Sequence, residues 1–312
     1  MEFNKKVFVI SGPTASGKSY LAEELLKQNI PAVILNADSM QIYKDLPILS
    51  GQPDIQGEYH KYQLYNFLEF DENYSVGLWH KAIHKAIQGV FEKNKVPVVI
   101  GGTGLYIKAL LEGIPDIPEI AKGVKGYVRK QFLELGKARF YAKLASVDIV
   151  AAKNINSNDT YRMQRAMEVY LQTGDSIRNF KNSGHAHVMI HISLMTKRKK
   201  LYEKCDLRFK EMLKAGAKEE VKLLFEKLQG LPGTYNIKNT LGYRSIVSYL
   251  IGELSFEEIF TQVCQATRNY AKRQCTWFKN QFPNKILLPY ASDINEIKEK
   301  FLKIVDQQLS IA

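Results

Sequence analysis

Cysteine is scarce in this sequence, which has three cysteines, Cys205, Cys264 and Cys275, in 312 residues. Their number is odd and no two have the short spacing of metal ligands, so the sequence predicts neither a disulfide framework nor a zinc site. The chain also lacks a signal-peptide core, an internal repeat, a low-complexity tract and the run of roughly 18 apolar residues that a membrane-spanning helix needs. We therefore expect a protein of the cytosol, where a reducing environment keeps thiols free.

The composition is that of an ordinary globular protein, with 45% hydrophobic and 24% charged residues. The length allows one large domain or a core with a smaller insertion, because single cores rarely exceed about 250 to 300 residues. Lysine and arginine number 44 against 32 aspartate and glutamate residues, which gives a net charge of +12. This excess favours a polyanionic partner, although a generally basic proteome would explain it equally well.

The first third of the chain alternates short β-branched runs with segments of helical periodicity. Each apolar run is short enough for a strand that is buried on both faces, as in a parallel sheet. The sequence therefore predicts an α/β fold with a parallel sheet flanked by helices. The predicted strands are Val7–Ile10, Ala32–Leu35, Pro97–Ile100 and, much later, Val188–Leu194, and the predicted helices cover about 18–28, 76–94, 197–229 and 256–281.

The pattern changes near Ile114 to helical segments rich in lysine, arginine and tyrosine. A turn with two prolines, at 115–118, begins this region. We predict an all-helical insertion at residues 115–185, within a core formed by residues 1–114 and 186–312.

A phosphate-binding loop follows the first predicted strand. It matches the pattern G-x-x-x-x-G-K-[ST], with a strand before it and a helix after it, as such a loop requires. Backbone N–H groups and the positive end of the following helix favour diphosphate oxygens, Lys18 adds a charge, and the Ser19 hydroxyl is a ligand suited to Mg²⁺. The loop consists of Gly12, Pro13, Thr14, Ala15, Ser16, Gly17, Lys18 and Ser19.

The loop alone does not identify the rest of the phosphate compound. An ATPase or GTPase would be expected to have an aspartate at the end of a neighbouring strand, to hold the other side of Mg²⁺. The strand Pro97–Ile100 ends instead in Gly101-Gly102-Thr103-Gly104. Nucleotide hydrolysis is therefore the weaker hypothesis, while a small-molecule or nucleoside kinase and a catalytically silent RNA-binding protein stay open.

Asp38 follows the predicted strand Ala32–Leu35 by three residues. Ligand sites in open α/β sheets lie at the carboxyl ends of the strands, so this carboxylate is placed to help hold Mg²⁺ or to accept a proton from a nucleophile. An Asx turn or a helix cap would use the same residue type. The sequence leaves these interpretations open.

Further motifs follow the loop along the chain: Asp38-Ser39-x-Gln41-x-Tyr43, Gly101-Gly102-Thr103-Gly104-Leu105-Tyr106, Asn158-Asp159-x-x-Arg162-x-x-Arg165-Ala166-x-Glu168, Arg208-x-x-x-Met212, Leu241-Gly242-Tyr243-Arg244 and Thr267-Arg268-x-x-Ala271-Lys272-Arg273-Gln274-x-Thr276-Trp277. In this order, together with the loop, they resemble the motifs of bacterial tRNA dimethylallyltransferases. The resemblance extends over about residues 7 to 280. It is specific because a chance match would have to reproduce every motif in sequence.

The resemblance implies transfer of a dimethylallyl group from dimethylallyl diphosphate to N6 of the adenosine 3′ of a tRNA anticodon, with release of diphosphate and use of Mg²⁺. The phosphate loop would bind the prenyl diphosphate in place of ATP. Asp38 would accept the proton of adenine N6, Arg208 would stabilise the leaving diphosphate, and Thr14 would join them in the catalytic set. We expect a monomer that binds the tRNA anticodon stem-loop and no membrane.

The resemblance also implies which residues contact tRNA. Thr103 would lie beside the target nucleotide. Arg268, Lys272 and Arg273 recur on one side of a helix with aromatic residues between them, which suits either phosphate contact or a solvated face. With the net charge of +12, phosphate contact is the favoured interpretation for these cations. The predicted tRNA-contacting set is Asp38, Ser39, Met40, Gln41, Thr103, Arg162, Arg165, Arg268, Lys272 and Arg273.

The chain departs from the family pattern in places that bear on RNA contacts. The run Leu49-Ser50-Gly51-Gln52-Pro53 stands where the family usually has Gly-Thr-Ala-Lys-Pro, so a basic contact is missing. Ile149 and Ser157 stand where the family usually has proline.

In the insertion we expect Asn158 to cap the helix that carries Arg162 and Arg165, with Asp159 supporting its first turn.

Overall fold

A computed structural model describes residues 5–28, 30–184, 187–232, 234–288 and 294–310. The chain divides into two compact units, one formed by Met1–Leu111 with Ala186–Ala312 and the other by Glu112–His185. The boundary predicted at residues 185 and 186 lies outside the described residues. Each unit has its own hydrophobic core.

The first unit is built on a parallel sheet. Its strands are β1 (Lys6–Ser11), β2 (Ala32–Asn36), β3 (Tyr62–Gln63), β4 (Val96–Gly101), β5 (Val188–Leu194) and β6 (Ile286–Leu288). Among the described residues the strand order is β3-β2-β4-β1-β5-β6, and each strand is parallel to its neighbours. The predicted parallel α/β sheet is confirmed, and the apolar runs of β1, β2 and β4 are buried because helices cover both faces.

The carboxyl ends of β1, β2 and β4 meet at one edge of the sheet. Ser11 of β1 lies in register with Gly101 of β4. Just past β2, the backbone N–H of Ala37 donates to the carbonyl of Ile100 at 2.7 Å. The segments that follow these three strands therefore begin side by side, which is where open α/β sheets bind ligands.

Helices surround the sheet and form most of the rest of the chain. The predicted helices 18–28, 76–94 and 256–281 are confirmed, while the predicted 197–229 is two helices. No helix within the described ranges is long and apolar enough to cross a membrane. The helices are α1 (Lys18–Leu26), α2 (Pro47–Ser50), α3 (Val76–Phe91), α4 (Gly104–Glu112), α5 (Lys122–Val147), α6 (Ile149–Asn154), α7 (Thr160–Thr173), α8 (Arg198–Lys214), α9 (Ala217–Lys227), α10 (Tyr243–Leu250), α11 (Phe256–Asn280) and α12 (Ile294–Ser310), with a 3₁₀ turn at Asn236–Asn239.

Two large apolar clusters stand out in the described part of the first unit. One joins the sheet to α1 and α12 and includes the fully buried Phe8, Ile34 and Phe301. The other joins α8, α9, α10 and α11 to the chain after β2, and includes Leu49 and Phe209. Burial of each such large side chain stabilises the fold by about 1.5 to 3 kcal/mol. The second cluster matters for function because it fixes the segment after β2 against α8 and α11.

The second unit is helical and consists of α5, α6 and α7. Helix α5 is interrupted at Gly136, whose φ is 69° and ψ is 171°. Phe140, Leu144 and Met163 are fully buried in the core of this unit. The prediction that Asn158 caps α7 is wrong, because it is the Asp159 side chain that accepts from the N–H of Arg162 at 3.1 Å.

Candidate active site

The loop between β1 and α1 has the geometry of a phosphate cradle. Helix α1 begins at Lys18, so its positive end faces the loop. The N–H of Ser16 donates to the carbonyl of Pro13 at 3.3 Å, which closes the turn. The Lys18 ammonium donates to the carbonyls of Gly12 at 3.0 Å and Pro13 at 2.8 Å. The lysine charge is therefore held over the loop, where it would meet phosphate oxygens.

A cavity of about 390 Å³ lies at this edge of the sheet. It brings together side chains from the phosphate loop, the segment after β2, α8 and α11, which are far apart in the sequence. Most of the predicted site residues of the first unit line it. These are Thr14, Lys18, Ser19, Asp38, Ser39, Met40, Gln41, Arg208 and Arg273.

The cavity carries two desolvated cations opposite one carboxylate. Burial lowers the pKa of Lys18 to about 8, although Asp38 opposes this shift. Burial also lowers the pKa of Arg208, again against the effect of Asp38. A desolvated cation is stabilised by an anion brought next to it. The site therefore favours an anionic ligand such as a diphosphate.

Asp38 both shapes its own turn and faces the cavity. Its Oδ1 accepts from the N–H of Met40 at 3.0 Å, which is an Asx turn. Asn36, at the end of β2, stabilises the same turn, since its Oδ1 accepts from the N–H of Asp38 at 2.8 Å. The Asx turn that the sequence allowed is therefore present, and it fixes the Asp38 carboxylate in the cavity wall.

The segments after β2 and β4 are linked by side chains. Thr103 Oγ1 accepts from the N–H of Ser39 at 3.0 Å and lies 3.3 Å from the Ser39 hydroxyl. Thr103 does not line the main cavity but a smaller neighbouring one, with Gly102 common to both. The residue predicted to lie beside the target nucleotide is thus tied to the turn that carries Asp38.

Arg208 reaches the phosphate loop from α8. Its Nη1 donates to Thr14 Oγ1 at 3.2 Å and its Nη2 donates to the carbonyl of Gly51 at 3.3 Å. Gly51 has φ of 67°, and a Cβ at this position would overlap the Arg208 guanidinium. Gln41 Nε2 donates to the same carbonyl at 2.8 Å. Gly51, which departs from the family pattern, therefore leaves room for the Arg208 guanidinium and accepts a hydrogen bond from it.

Gln274 is a functional candidate that sequence reasoning missed as an individual residue. Its Oε1 accepts from the N–H of Thr14 at 2.8 Å, and its Nε2 donates to the carbonyl of Gly102 at 2.8 Å. The side chain is buried and joins the phosphate loop to the turn after β4. Gln274 stood within a quoted motif, but only the structure shows that α11 delivers it to a loop 260 residues away.

The cavity also has an apolar wall, which the sequence did not reveal. Its residues come from three separate segments and belong to the cluster that joins α8, α9, α10 and α11. Such a surface suits a hydrocarbon group attached to a phosphate. The residues of this wall are Met40, Leu49, Phe209, Met212 and Val263.

The predicted basic face of α11 is divided in the structure. Arg268 forms a two-pronged ion pair with Asp206 of α8, with Nε 2.9 Å from Oδ1. Lys272 and Arg273 are exposed, and the Arg273 guanidinium lies 5.7 Å from the ring centroid of Tyr270. Arg268 therefore joins two helices, whereas Lys272 is exposed and Arg273 lies at the cavity.

The predicted arginines of the second unit both lie on α7. Arg162 is 3.3 Å from the carboxylate of Asp159, and Arg165 is 3.3 Å from that of Glu168. The Arg162 side chain remains 69% exposed. Such an exposed pair contributes little to stability, about 0 to 1 kcal/mol, so another anion would compete with Asp159 for Arg162 easily. The pair of Arg165 and Glu168 is less exposed, with 34% and 17% of the two side chains accessible.

A family model described as IPP transferase matches residues 41–281. The chain belongs to the IPP transferase family. It is 40% identical over 294 residues to a tRNA dimethylallyltransferase of Rickettsia rickettsii (strain Sheila Smith), covering 92% of this chain and 80% of the relative. It is 39% identical over 316 residues to the tRNA dimethylallyltransferase of Rickettsia bellii (strain OSU 85-389), covering 98% and 96%.

A solved structure extends the similarity to three dimensions. It is a eukaryotic dimethylallyltransferase described as acting on tRNA, with a TM-score of 0.85 and 26% identity. The match covers 98% of this chain and 80% of that one. The family assignment and this likeness agree with the resemblance that the motifs indicated.

Glu220 supports the site from outside. Its carboxylate accepts from the N–H groups of Ile48 at 2.7 Å and Leu49 at 3.0 Å, at the start of α2. The other end of α2 leads into Gly51, which holds Arg208. Glu220 is therefore a positioning residue for this family member's cavity.

Glu220→Ala should lower the free energy of unfolding by about 1 to 3 kcal/mol, because two backbone donors lose a charged acceptor. It should also weaken binding of inorganic diphosphate several-fold as α2 and its contact to Arg208 loosen. Thermal denaturation and calorimetric titration measure the two effects. Glu219→Ala is the matched control, since Glu219 is adjacent and 64% exposed; equal effects of both variants would contradict the positioning role.

Proposed function

We propose that the protein transfers a dimethylallyl group from dimethylallyl diphosphate to N6 of the adenosine 3′ of a tRNA anticodon. The observation that carries the proposal is the convergence of Lys18, Arg208 and Asp38 on one cavity that also has an apolar wall. Membership of the IPP transferase family and relatives named tRNA dimethylallyltransferase support it. The enzyme is expected to meet its tRNA in the cytosol and to act as a monomer.

The donor's two chemical parts match two parts of the cavity. The phosphate loop and the cations Lys18 and Arg208 suit the diphosphate, and Thr14 lies within reach of Arg208. The apolar wall with Leu49 and Met212 suits the five-carbon chain. The relatives named tRNA dimethylallyltransferase favour this donor over the ATP of the kinase alternative.

The reaction that follows needs no redox partner. The bond between the allylic carbon and the diphosphate oxygen breaks, and its electron pair leaves with diphosphate. The adenine N6 lone pair forms the new bond to that carbon, while an N6 proton passes to the carboxylate of Asp38. Lys18 and Arg208 stand where negative charge increases on the leaving group, which is where fixed charges accelerate a reaction most.

Mg²⁺ fits the oxygen ligands of this cavity. The Ser19 hydroxyl and the Asp38 carboxylate both line it. No cluster of three or more histidine, cysteine, aspartate or glutamate side chains suited to a metal occurs in the described part of the chain. Mg²⁺ is commonly held by one or two protein oxygens, with phosphates and water completing its shell. When bound, it would neutralise charge on the diphosphate, with Ser19 as the proposed protein ligand.

The tRNA would approach residues that the structure leaves exposed. In the first unit these are Lys272 and Arg273, and Arg273 also lines the cavity that contains Ser39, Met40 and Gln41. In the second unit the exposed Arg162 and the partly buried Arg165 of α7 are proposed to contact the phosphate backbone. Single-stranded loops present unstacked bases, so an adenine of the anticodon loop enters a pocket at low cost.

The proposal is tested by a label-transfer assay with two donors. Unmodified tRNA, Mg²⁺ and the protein are combined either with dimethylallyl diphosphate labelled in its carbon chain or with ATP labelled in its terminal phosphate. Label is expected in RNA from the first donor alone. Tight ATP binding without prenyl transfer would support a kinase, and salt-sensitive tRNA binding without any transfer would support a silent RNA-binding protein.

The pH dependence of donor use should report on Lys18. Because the pKa of Lys18 is lowered to about 8, its charge is present below that pH and lost above it. The kcat/KM for dimethylallyl diphosphate should therefore fall as pH rises above about 8, by up to about tenfold per pH unit. In Lys18→Arg the guanidinium stays charged, so this decline should vanish. An unchanged decline in Lys18→Arg would assign it to another group.

A further inference from the structure

A second cavity lies beside the main one and is mostly apolar. Its volume is about 220 Å³, below the roughly 300 to 1,000 Å³ of pockets that enclose whole small ligands. It is formed by the turn from Gly102 to Leu105 and by one face of α11. Its size suits one part of a larger molecule.

The walls of this second cavity present flat and apolar surfaces. The indole of Trp277 packs directly on Gly104, where any Cβ would overlap the ring. Leu105 stands at the rim of the cavity and is 54% exposed, so its side chain is accessible to a ligand. Phe278 completes the lining from α11. Aromatic and apolar walls of this kind stack against nucleobases.

The two cavities share a wall, and that wall carries a positive charge. Tyr270, Arg273 and Gln274 line both of them. The Arg273 guanidinium is held over the Tyr270 ring, 5.7 Å from its centroid. Two neighbouring nucleotides are joined by one phosphate. If one base lies in each cavity, that phosphate must pass the shared wall, where Arg273 stands.

We infer that the second cavity, lined by Leu105 and Trp277, binds the base of the nucleotide next to the target adenosine, while Arg273 contacts the phosphate between them. This inference rests on the proposed function and adds a second base-binding subsite to it. The proposal rests on the apolar and aromatic lining of this cavity and on the position of Arg273 between the two cavities. It also gives the enzyme a way to select its RNA by a base that it does not modify.

The inference is tested with anticodon stem-loop RNAs that lack the base on the 5′ side or on the 3′ side of the target adenosine. Removing a stacked base should weaken RNA use, as kcat/KM, by roughly 5- to 150-fold. One of the two abasic RNAs should show this loss with the wild-type protein. Trp277→Leu and Leu105→Ala should each weaken use of the intact RNA and leave the KM for dimethylallyl diphosphate unchanged.

The decisive result comes from assaying the protein variants on the abasic RNAs. On the affected abasic RNA, Trp277→Leu and Leu105→Ala should cause little further loss, because the interaction is already gone. The inference would be overturned if the loss caused by the variant multiplied the loss caused by the missing base for both abasic RNAs. A raised KM for the prenyl donor would overturn it as well. Leu223→Ala is the matched control, since Leu223 lies on α9 and is 61% exposed. It should behave as wild type with every RNA.

If Trp277→Leu does not fold, Leu105→Ala still tests the inference, because Leu105 is an exposed residue at the rim of the cavity and its truncation should not disturb folding. Failure of the subsite and failure of the proposed function give different results. If the function is wrong, the wild-type protein transfers no prenyl group to any RNA. If only the subsite is wrong, the wild-type protein transfers the group and the abasic RNAs show no specific loss.

Discussion

Asp38→Asn should lower kcat by about 10²- to 10⁴-fold, the usual contribution of a positioned general base. Asparagine keeps the side-chain oxygen that accepts from the N–H of Met40, so the turn after β2 should survive. It removes only the ability to take the N6 proton. Single-turnover kinetics with saturating dimethylallyl diphosphate and tRNA measure this effect, and tRNA affinity should change little.

The chain offers a close control for this substitution. Asp54 also forms an Asx turn, with its Oδ1 accepting from the N–H of Gln56 at 3.1 Å, but it is exposed and outside the cavity. Asp54→Asn should retain full activity. Equal losses of kcat and tRNA affinity in Asp38→Asn would contradict its role as a base and indicate a binding or folding role.

Arg208→Gln should lower kcat by about 10²- to 10³-fold, the loss expected when one donor that stabilises transition-state charge is removed. Its guanidinium is desolvated and touches the loop through Thr14, so its charge acts strongly on the leaving diphosphate. Arg208→Lys should recover part of the rate, because it keeps a charge but not the planar pair of donors. Pre-steady-state measurement of diphosphate release follows the step directly.

Lys204 provides the comparison for Arg208. It is an exposed cation on the same helix, α8, and Lys204→Gln should leave kcat unchanged. A rise in the KM for dimethylallyl diphosphate with unchanged kcat in Arg208→Gln would contradict the proposed role. Such a result would mean that Arg208 binds the donor equally in the ground state and the transition state.

The parts of the structure that the sequence predicted well are those with strong local signals. The apolar runs of β1, β2, β4 and β5 and the long helices α1, α3 and α11 carry clear periodicity, and the structure confirms them. Strands β3 and β6 were missed because they have two and three residues, too few for a pattern. The cap of α7 was misplaced by one residue because Asn158 and Asp159 are both good caps.

The missed parts of the candidate site depend on contacts between distant segments. The sequence identified the phosphate loop and Asp38 because a strand precedes each of them. It did not show that Arg268 is paired with Asp206, since partners on different helices leave no spacing pattern. The apolar wall was also hidden, because its residues Leu49, Phe209 and Val263 come from three segments that only tertiary packing joins.

The most direct test of the central claim is mass spectrometry of nucleosides and fragments from tRNA treated with the protein, dimethylallyl diphosphate and Mg²⁺. The account predicts one added dimethylallyl group, on N6 of the adenosine 3′ of the anticodon, and its loss with Asp38→Asn. Unmodified adenosine after prolonged reaction, or a prenyl group on another nucleotide, would contradict it.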